Sequence, residues 1–261
     1  MPKVPRPSVT PPETTVAPAT SMRPLTAGEE IDAHVHRAHQ IHYAGRGVLT
    51  VTTDAGTWIA PGNRALWVPA GTAHSHRAHG RLDLHTIGLP ASVNPLGLDA
   101  PAALTVGPLL RELILAYTRE DEPVAGAERR RMRAVLLDQL RASPQQPMHL
   151  PMPSDPRLAA VCALLRRDPA DGRPLAAFGA AVGAGERTLS RLFRDELGMT
   201  FPQWRTQLRL YHALVLLSED VPVTAVAARC GWSSPSAFID VYRRAFGRTP
   251  GSRTPGSRPR G

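Results

Sequence analysis

Residues 223–251, VTAVAARCGWSSPSAFIDVYRRAFGRTPG, are punctuated like two short helices folded around a tight turn. Pro222 stands at a helix start, where its missing N–H is tolerated, and Gly231 and Gly247 stand where left-handed backbone closes a helix. The same punctuation recurs upstream. Gly183 and Gly198 mark helix ends, Pro174 and Pro202 mark starts, and the chain from Pro156 onward predicts six helices, at about 156–167, 174–182, 186–197, 201–218, 222–230 and 235–246.

Laying Phe193 on Tyr242, an offset of 49 residues, also superposes Leu189 on Phe238, Leu192 on Val241, Arg194 on Arg243, Leu197 on Phe246 and Gly198 on Gly247. The region is therefore two similar units joined by one long helix. Each unit is a short helix, a glycine-containing turn and a second, arginine-bearing helix, which is the plan of a helix-turn-helix. The joining helix would span about 27 Å at 1.5 Å per residue. With the offsets of its neighbours, that separates the two arginine-bearing helices by roughly one 34 Å turn of DNA.

Charge follows the same division. Of a net charge of +9 over 261 residues, residues 154–261 contribute 16 arginines against 9 acidic groups, a surplus of seven. A positive surplus in one half is the footprint of a polyanion-binding module, because neutralising phosphates releases condensed counterions. An arginine-biased composition with solvated basic faces gives the same count, and Lys3 is the one lysine in the chain. Phe193, Trp204, Phe238, Tyr242 and Phe246 are read as core.

Upstream the period changes. Between about 30 and 90, short alternating runs such as GVLTVTTDAGTWIAPGNRALWVPAG, broken by turn signals, predict the strands of a small barrel or sandwich. Val48, Thr50 and Thr52 should face one way and Leu49, Val51 and Thr53 the other. From about 105 two apolar helical stripes follow, Leu109, Leu110, Leu113, Ile114 and Tyr117, then Ala134 to Leu137 with Leu140. They would complete the barrel's core or pair with a second subunit.

The remaining segments lack large apolar groups. Residues 1–24 are read as a disordered tail, 143–155 as a proline-rich linker and 251–261 as a basic disordered tail. This leaves a barrel at 25–100, a helical extension at 101–142 and a DNA-binding unit at 156–250. Cys162 and Cys230 lie far apart among apolar neighbours, which fits buried thiols in a reducing compartment. No run approaches the roughly 18 apolar residues of a membrane span and no signal-peptide core is present, so a cytoplasmic protein is expected.

GERTLSRLFRDELGMTFPQWR, residues 185–205, together with residues 223–251, resembles the two halves of the AraC-family DNA-binding domain over about 100 residues. The resemblance implies that helices 186–197 and 235–246 enter adjacent major grooves of double-stranded promoter DNA. Arg187, Ser190 and Arg191 would read bases from the first, arginine favouring guanine, with Arg194 on phosphate. Ser236, Ile239 and Asp240 hold the matching positions on the second. They are short or acidic, so weaker base contact is expected there, with Ser234, Arg243 and Arg244 gripping phosphates. The sequence departs from the family at Gly185, where a serine usually caps the first reading helix. Glycine costs a cap only a few tenths of a kcal/mol.

Such regulators often carry a cupin-type barrel as sensor, and the N-terminal half resembles one. Gly28, His34, His36, Gln40 and Gly47 follow the spacing of the first cupin motif, and Pro69, Gly71 and His74 part of the second. In metal-bearing cupins two such histidines, a glutamate and the later histidine hold one ion. His34, His36 and His74 are thus candidate ligands for a divalent transition metal. Gln40 in place of glutamate leaves a cation's charge uncompensated.

The favoured expectation is a metal-free effector pocket of His34, His36, Gln40, Trp67 and His74, with a metal site or a vestigial barrel as alternatives. The surplus histidines His39, His42, His76, His79 and His85 are assigned to a solvent-facing strand edge.

The fold class expected is two-domain α+β, an N-terminal cupin-like β-barrel with following helices and then an all-α domain of two helix-turn-helix units joined by a long helix. The function expected is a ligand-sensing transcription regulator without enzymatic activity, with RNA polymerase and a second copy of the chain as further partners. The competing readings are a metal-dependent cupin enzyme tethered to DNA and an architectural DNA-binding protein. No nucleophile elbow, phosphate loop or carboxylate pair supports another enzyme class.

Overall fold

The computed structural model describes residues 13–14, 20–119, 126–146 and 149–251. The expected tail residues 1–12, 15–19 and 252–261 lie outside the described residues. The sheet is built on two long antiparallel strands, β4 (Ala38–Thr53) and β7 (His74–Pro90), which pair along almost their whole length. Around them lie β2 (Ser21–Leu25) and β3 (Glu30–His36) on β7, and β5 (Gly56–Pro61) and β6 (Arg64–Val68) on β4. Beyond β6 follows β8 (Ala102–Thr105), and a two-residue bridge, β1 (Glu13–Thr14), runs parallel to β3.

What curls the sheet into a barrel is a break in register between Ala44 and Val48. Gly47 takes φ +76° there, and a Cβ on it would fall 2.5 Å from the Arg81 carbonyl oxygen. Only glycine allows the two backbones to come so close, so β4 bends at this point. Its first half then pairs with β6 and its second with β5.

Alternation sets the two faces as expected. Leu49 and Val51 join Trp58, Leu66, Val68 and Leu84 in the barrel interior, while Val48 packs outward against the helical domain. The opposite outer face, with Ile41, Tyr43, Trp67 and Ile87, is covered by α1 (Pro108–Tyr117) and α2 (Gly126–Arg141) through Leu110, Ile114, Leu136 and Leu140.

Three sequence boundaries need correction. Residues 21–24 of the expected tail are strand β2, fixed by five cross-strand pairs to β7. The barrel does not stop at 100, because β8 extends it. The expected linker is tied into the sheet by β9 (Gln145–Gln146) on β8 and β10 (His149–Pro151) on β5, and His149 stacks on Trp58. Proline does not prevent this, since these short strands lie at the sheet's margins.

The helical domain comprises α3 (Pro156–Arg167), α4 (Leu175–Val182), α5 (Glu186–Leu197), α6 (Phe201–Ser218), α7 (Val223–Arg229) and α8 (Pro235–Phe246). These match the expected helices to within one residue at each end. Gly198 and Gly247 close α5 and α8 with left-handed backbone, φ +66° and +70°. Thr200 and Gln203 add a capping box at α6. Two cores result, one around Phe178, Phe193 and Trp204 and one around Leu214, Phe238 and Tyr242. Cys162 and Cys230 are buried free thiols within them.

The barrel holds the second unit directly. Val48 and Ile59 belong to the same core as Leu210, Leu214 and Phe246. The Thr50 hydroxyl bonds Tyr211 Oη at 3.1 Å, and Gly80 lies so close to α6 that a Cβ would meet the Ser218 carbonyl oxygen at 2.4 Å. At the β5–β6 turn, Asn63 Nδ2 donates to the Phe246 carbonyl at 2.8 Å and Arg64 Nη2 to the Ala245 carbonyl at 3.0 Å, so the barrel caps the last turn of α8.

Arg64 is 4% exposed, and truncating it would strip a charge-assisted bond from a part-buried helix end. Arg64→Ala is expected to cost about 1–3 kcal/mol, read as a lowered urea midpoint. An unchanged midpoint would mean that the clasp adds nothing to folding.

Candidate nucleic-acid interface and histidine cluster

The first reading helix, α5, is divided cleanly along its length. Leu189, Phe193 and Leu197 are buried, Phe193 with its ring 5.4 Å from Phe201 and 5.9 Å from Trp204. On the other side Arg187, Arg191 and Arg194 are exposed and Ser190 half-buried beside them. Arg187 and Arg191 form no ion pair among the described residues. Arg194 reaches the Ser190 carbonyl at 3.4 Å, which keeps it alongside the helix. The four side chains together with Thr188 and Asp195 border one surface depression. Gly185 is the N-cap and supplies no side-chain bond, as its sequence required.

The matching face of α8 is less basic. Ser236 is exposed, and Ile239 and Asp240 are half-buried. Arg243 pairs with Asp240 at 2.9 Å one helical turn away. Both partners are more than half solvent-exposed or close to it, so the pair is weak and open to exchange with a phosphate. Arg244 is exposed. Ser234 Oγ accepts the Ala237 N–H as the helix N-cap, a structural duty that leaves only its own O–H proton for a phosphate. Phe193, Trp204, Phe238, Tyr242 and Phe246 are all buried, as expected of core.

In the barrel, strand alternation brings together a different set of histidines from the one the motif spacing suggested. His74 and His76, two apart on β7, point inward with His42 of β4, and the half-buried His34 of β3 closes over them. Ring centroids lie 4.4 Å apart for His34 and His74, 5.0 Å for His74 and His76, and 4.5 Å for His42 and His76. One ring nitrogen from each of His34, His74 and His76 falls within 4.8 Å of the others. His36 stands at the margin, 4.8 Å from His34 and 5.7 Å from His74 between ring centroids, and is not part of this close set. Of the candidate metal set His34, His36 and His74, the structure brings His34 and His74 together, with His76 rather than His36 as the third ring of the close group.

Trp67 is corrected too. It lies on the outer face of β6, beneath α1 and α2, with its Nε1–H donated to the Leu98 carbonyl and its indole stacked on His39. It therefore does not line a pocket with His34 and His74. Gln40 shares the inward face of β4 with His42, and its Oε1 is buried without a partner.

The assignment of five histidines to a solvent-facing edge fails as well. His39, His42, His76 and His85 are all below 8% exposed. His39 accepts the Ala70 N–H, His85 bonds the Thr118 hydroxyl at 2.7 Å, and the half-buried His79 bonds Thr50 beside Tyr211. Burial holds His42 and His76 well below the usual imidazole range and His74 down to about 4. Each is then neutral at pH 7 and keeps one nitrogen lone pair.

A cleft of about 540 Å³ opens where barrel and helical domain meet, lined by Asp32, Thr50, His76, Arg166, Tyr211 and His212 among others. His76 thus belongs both to the histidine cluster and to the boundary between the domains.

Residues 26–136 match the family described as AraC-like ligand binding domain, and residues 178–253 match one described as helix-turn-helix domain. The HTH-type transcriptional regulator NimR of Escherichia coli (strain K12) is 33% identical over 226 residues, covering 84% of this chain and 80% of its own. The HTH-type transcriptional regulator RipA of Corynebacterium glutamicum is 34% identical over 106 residues, 41% of this chain and 32% of its own. Among solved structures, the DNA-binding domain of AdpA in complex with a target DNA is 35% identical, covers 37% of this chain and 87% of that one, and gives a TM-score of 0.35. No helix among the described residues is long and apolar enough to cross a membrane.

Proposed function

Because the chain belongs to the AraC family of transcriptional regulators, we propose that its barrel takes up a small ligand while α5 and α8 read adjacent major-groove segments of promoter DNA. The observation that carries this reading is the face of α5, where Arg187, Ser190, Arg191 and Arg194 line the side opposite a fully buried apolar stripe. Arg187 and Arg191 have the reach and fork geometry for guanine O6 and N7, with Ser190 beside them, and Arg194 grips phosphate.

In α8, Ser236, Ile239 and Asp240 offer less to a base edge. That half contributes mainly position, through Arg243, Arg244 and the Ser234 hydroxyl on phosphates. The ligand seat is the inward histidine face, His34, His74, His76 and His42, with Gln40 on the same side of β4 and His36 at the rim. A ligand there changes DNA binding only by favouring one arrangement of the domains over another. The shared core of Val48 and Ile59 with α6 and α8, and the Arg64 clasp, are the route by which it would do so.

The histidine cluster contains no carboxylate among its closest members, which favours a sensor over a cupin enzyme. The regulator acts on RNA polymerase, and a second copy docks through α1 and α2, where Leu109 and Val135 stay exposed. Selection from a pool of random duplexes tests the reading. One enriched motif, bound more weakly as salt rises, is expected; recovery of duplexes without a shared motif would contradict it.

A further inference from the structure

We propose that His34, His74 and His76 bind one borderline divalent transition-metal ion, with zinc as its type, and that His42 is the residue that positions His76. The proposal rests on the reading of the barrel as the sensor and names the chemistry of its ligand.

The hydrogen bonds assign the lone pairs. His34 Nδ1 lies 2.6 Å from the Asp32 carbonyl oxygen, and His74 Nδ1 lies 2.8 Å from the Thr72 carbonyl oxygen. A carbonyl only accepts, so both Nδ1 atoms carry the proton and both Nε2 atoms are bare. His74 Nε2 is buried without a partner. His76 Nε2 faces His42 Nε2 at 3.4 Å, while His76 Nδ1 is buried without a partner. His42 Nδ1 lies 3.2 Å from the Thr86 hydroxyl, which can donate or accept; the proposed site takes the tautomer in which His42 Nδ1–H donates, His42 Nε2 accepts the His76 Nε2–H, and His76 Nδ1 is the third bare nitrogen.

Three imidazoles would each present one lone pair while their other nitrogen is held by a carbonyl or a neighbouring ring, the outer support that metal-ligating histidines regularly have. A metal satisfies the two orphaned buried nitrogens at once. Zinc–nitrogen bonds of about 2.0–2.1 Å put tetrahedral ligand atoms roughly 3.4 Å apart. From a spread of at most 4.8 Å the set closes by up to about 1.4 Å, which the half-buried His34 supplies by a small movement of its ring. Neutral imidazoles without a carboxylate select zinc, copper or nickel over magnesium or calcium.

The full-length chain, stripped with a chelator, is titrated with zinc against a chromophoric competitor. One zinc per chain is expected. His34→Ala and His76→Ala should abolish it, and His42→Ala should weaken it about 10–100-fold. His36→Ala, whose ring lies outside the close set, should still bind one zinc per chain. His34 lies at the rim, so its variant should fold, as circular dichroism would check. No stoichiometric binding, or loss in His36→Ala with retention in His76→Ala, overturns the site. Selective DNA binding by the zinc-free chain, measured in parallel, reports on the regulator reading separately: intact selectivity without any zinc binding overturns the metal site alone.

Discussion

Phe193→Ala is expected to remove about 3–5 kcal/mol from the folding of the helical domain. Phe193 is fully buried at the centre of the core that joins α3, α4, α5 and α6, in ring contact with Phe201 and Trp204. Truncation leaves a cavity that these rigid neighbours cannot fill. A domain of this size has roughly 5–15 kcal/mol in hand, so the loss should drop the denaturation midpoint steeply and take DNA binding with it. A change under about 1 kcal/mol would mean that α5 is not anchored by its apolar stripe.

The second large effect concerns recognition rather than folding. Arg191 is exposed on the far side of the same helix, so Arg191→Ala should leave stability intact. It should instead lower discrimination between the selected site and one altered at the contacted base by about 1–3 kcal/mol, roughly 5- to 150-fold. Arg243→Ala, in contrast, should weaken every duplex alike and reduce the salt slope by about one. Uniform loss in Arg191→Ala, measured by titration of both duplexes, would remove it from base reading.

The helical domain was legible in its sequence because its signals are local. Glycine and proline mark each helix boundary within a few residues, and the repeat of Leu189–Leu197 in Phe238–Phe246 is visible without any tertiary information. The barrel was legible in kind only. Its bend at Gly47 depends on how closely Arg81 approaches from a strand more than thirty residues away, and that pairing is not written in either segment alone.

The same limit explains where Trp67 and the histidines were misplaced. RALWV is buried on both faces, so its pattern has no polar side to fix the phase, and Trp67 could be placed inward as readily as outward. His74 and His76 could have been paired from strand alternation alone, since residues two apart share a face. His42 could not. It reaches them only because β4 pairs with β7 in the observed register, with His42 opposite Thr86 and Val51 opposite His76. His36 has the right spacing to His34, but β3 is irregular between Ile31 and His34, and the ring ends at the rim of the cluster.

The most direct measurement is guanine methylation protection and interference along the selected duplex with the intact chain. Two protected major-groove segments about one helical turn apart are expected, the one facing α5 strongly affected at guanine and the one facing α8 weakly so. A single protected segment, or protection spread evenly over all guanines, would contradict a protein that reads DNA with two unequal helix-turn-helix units.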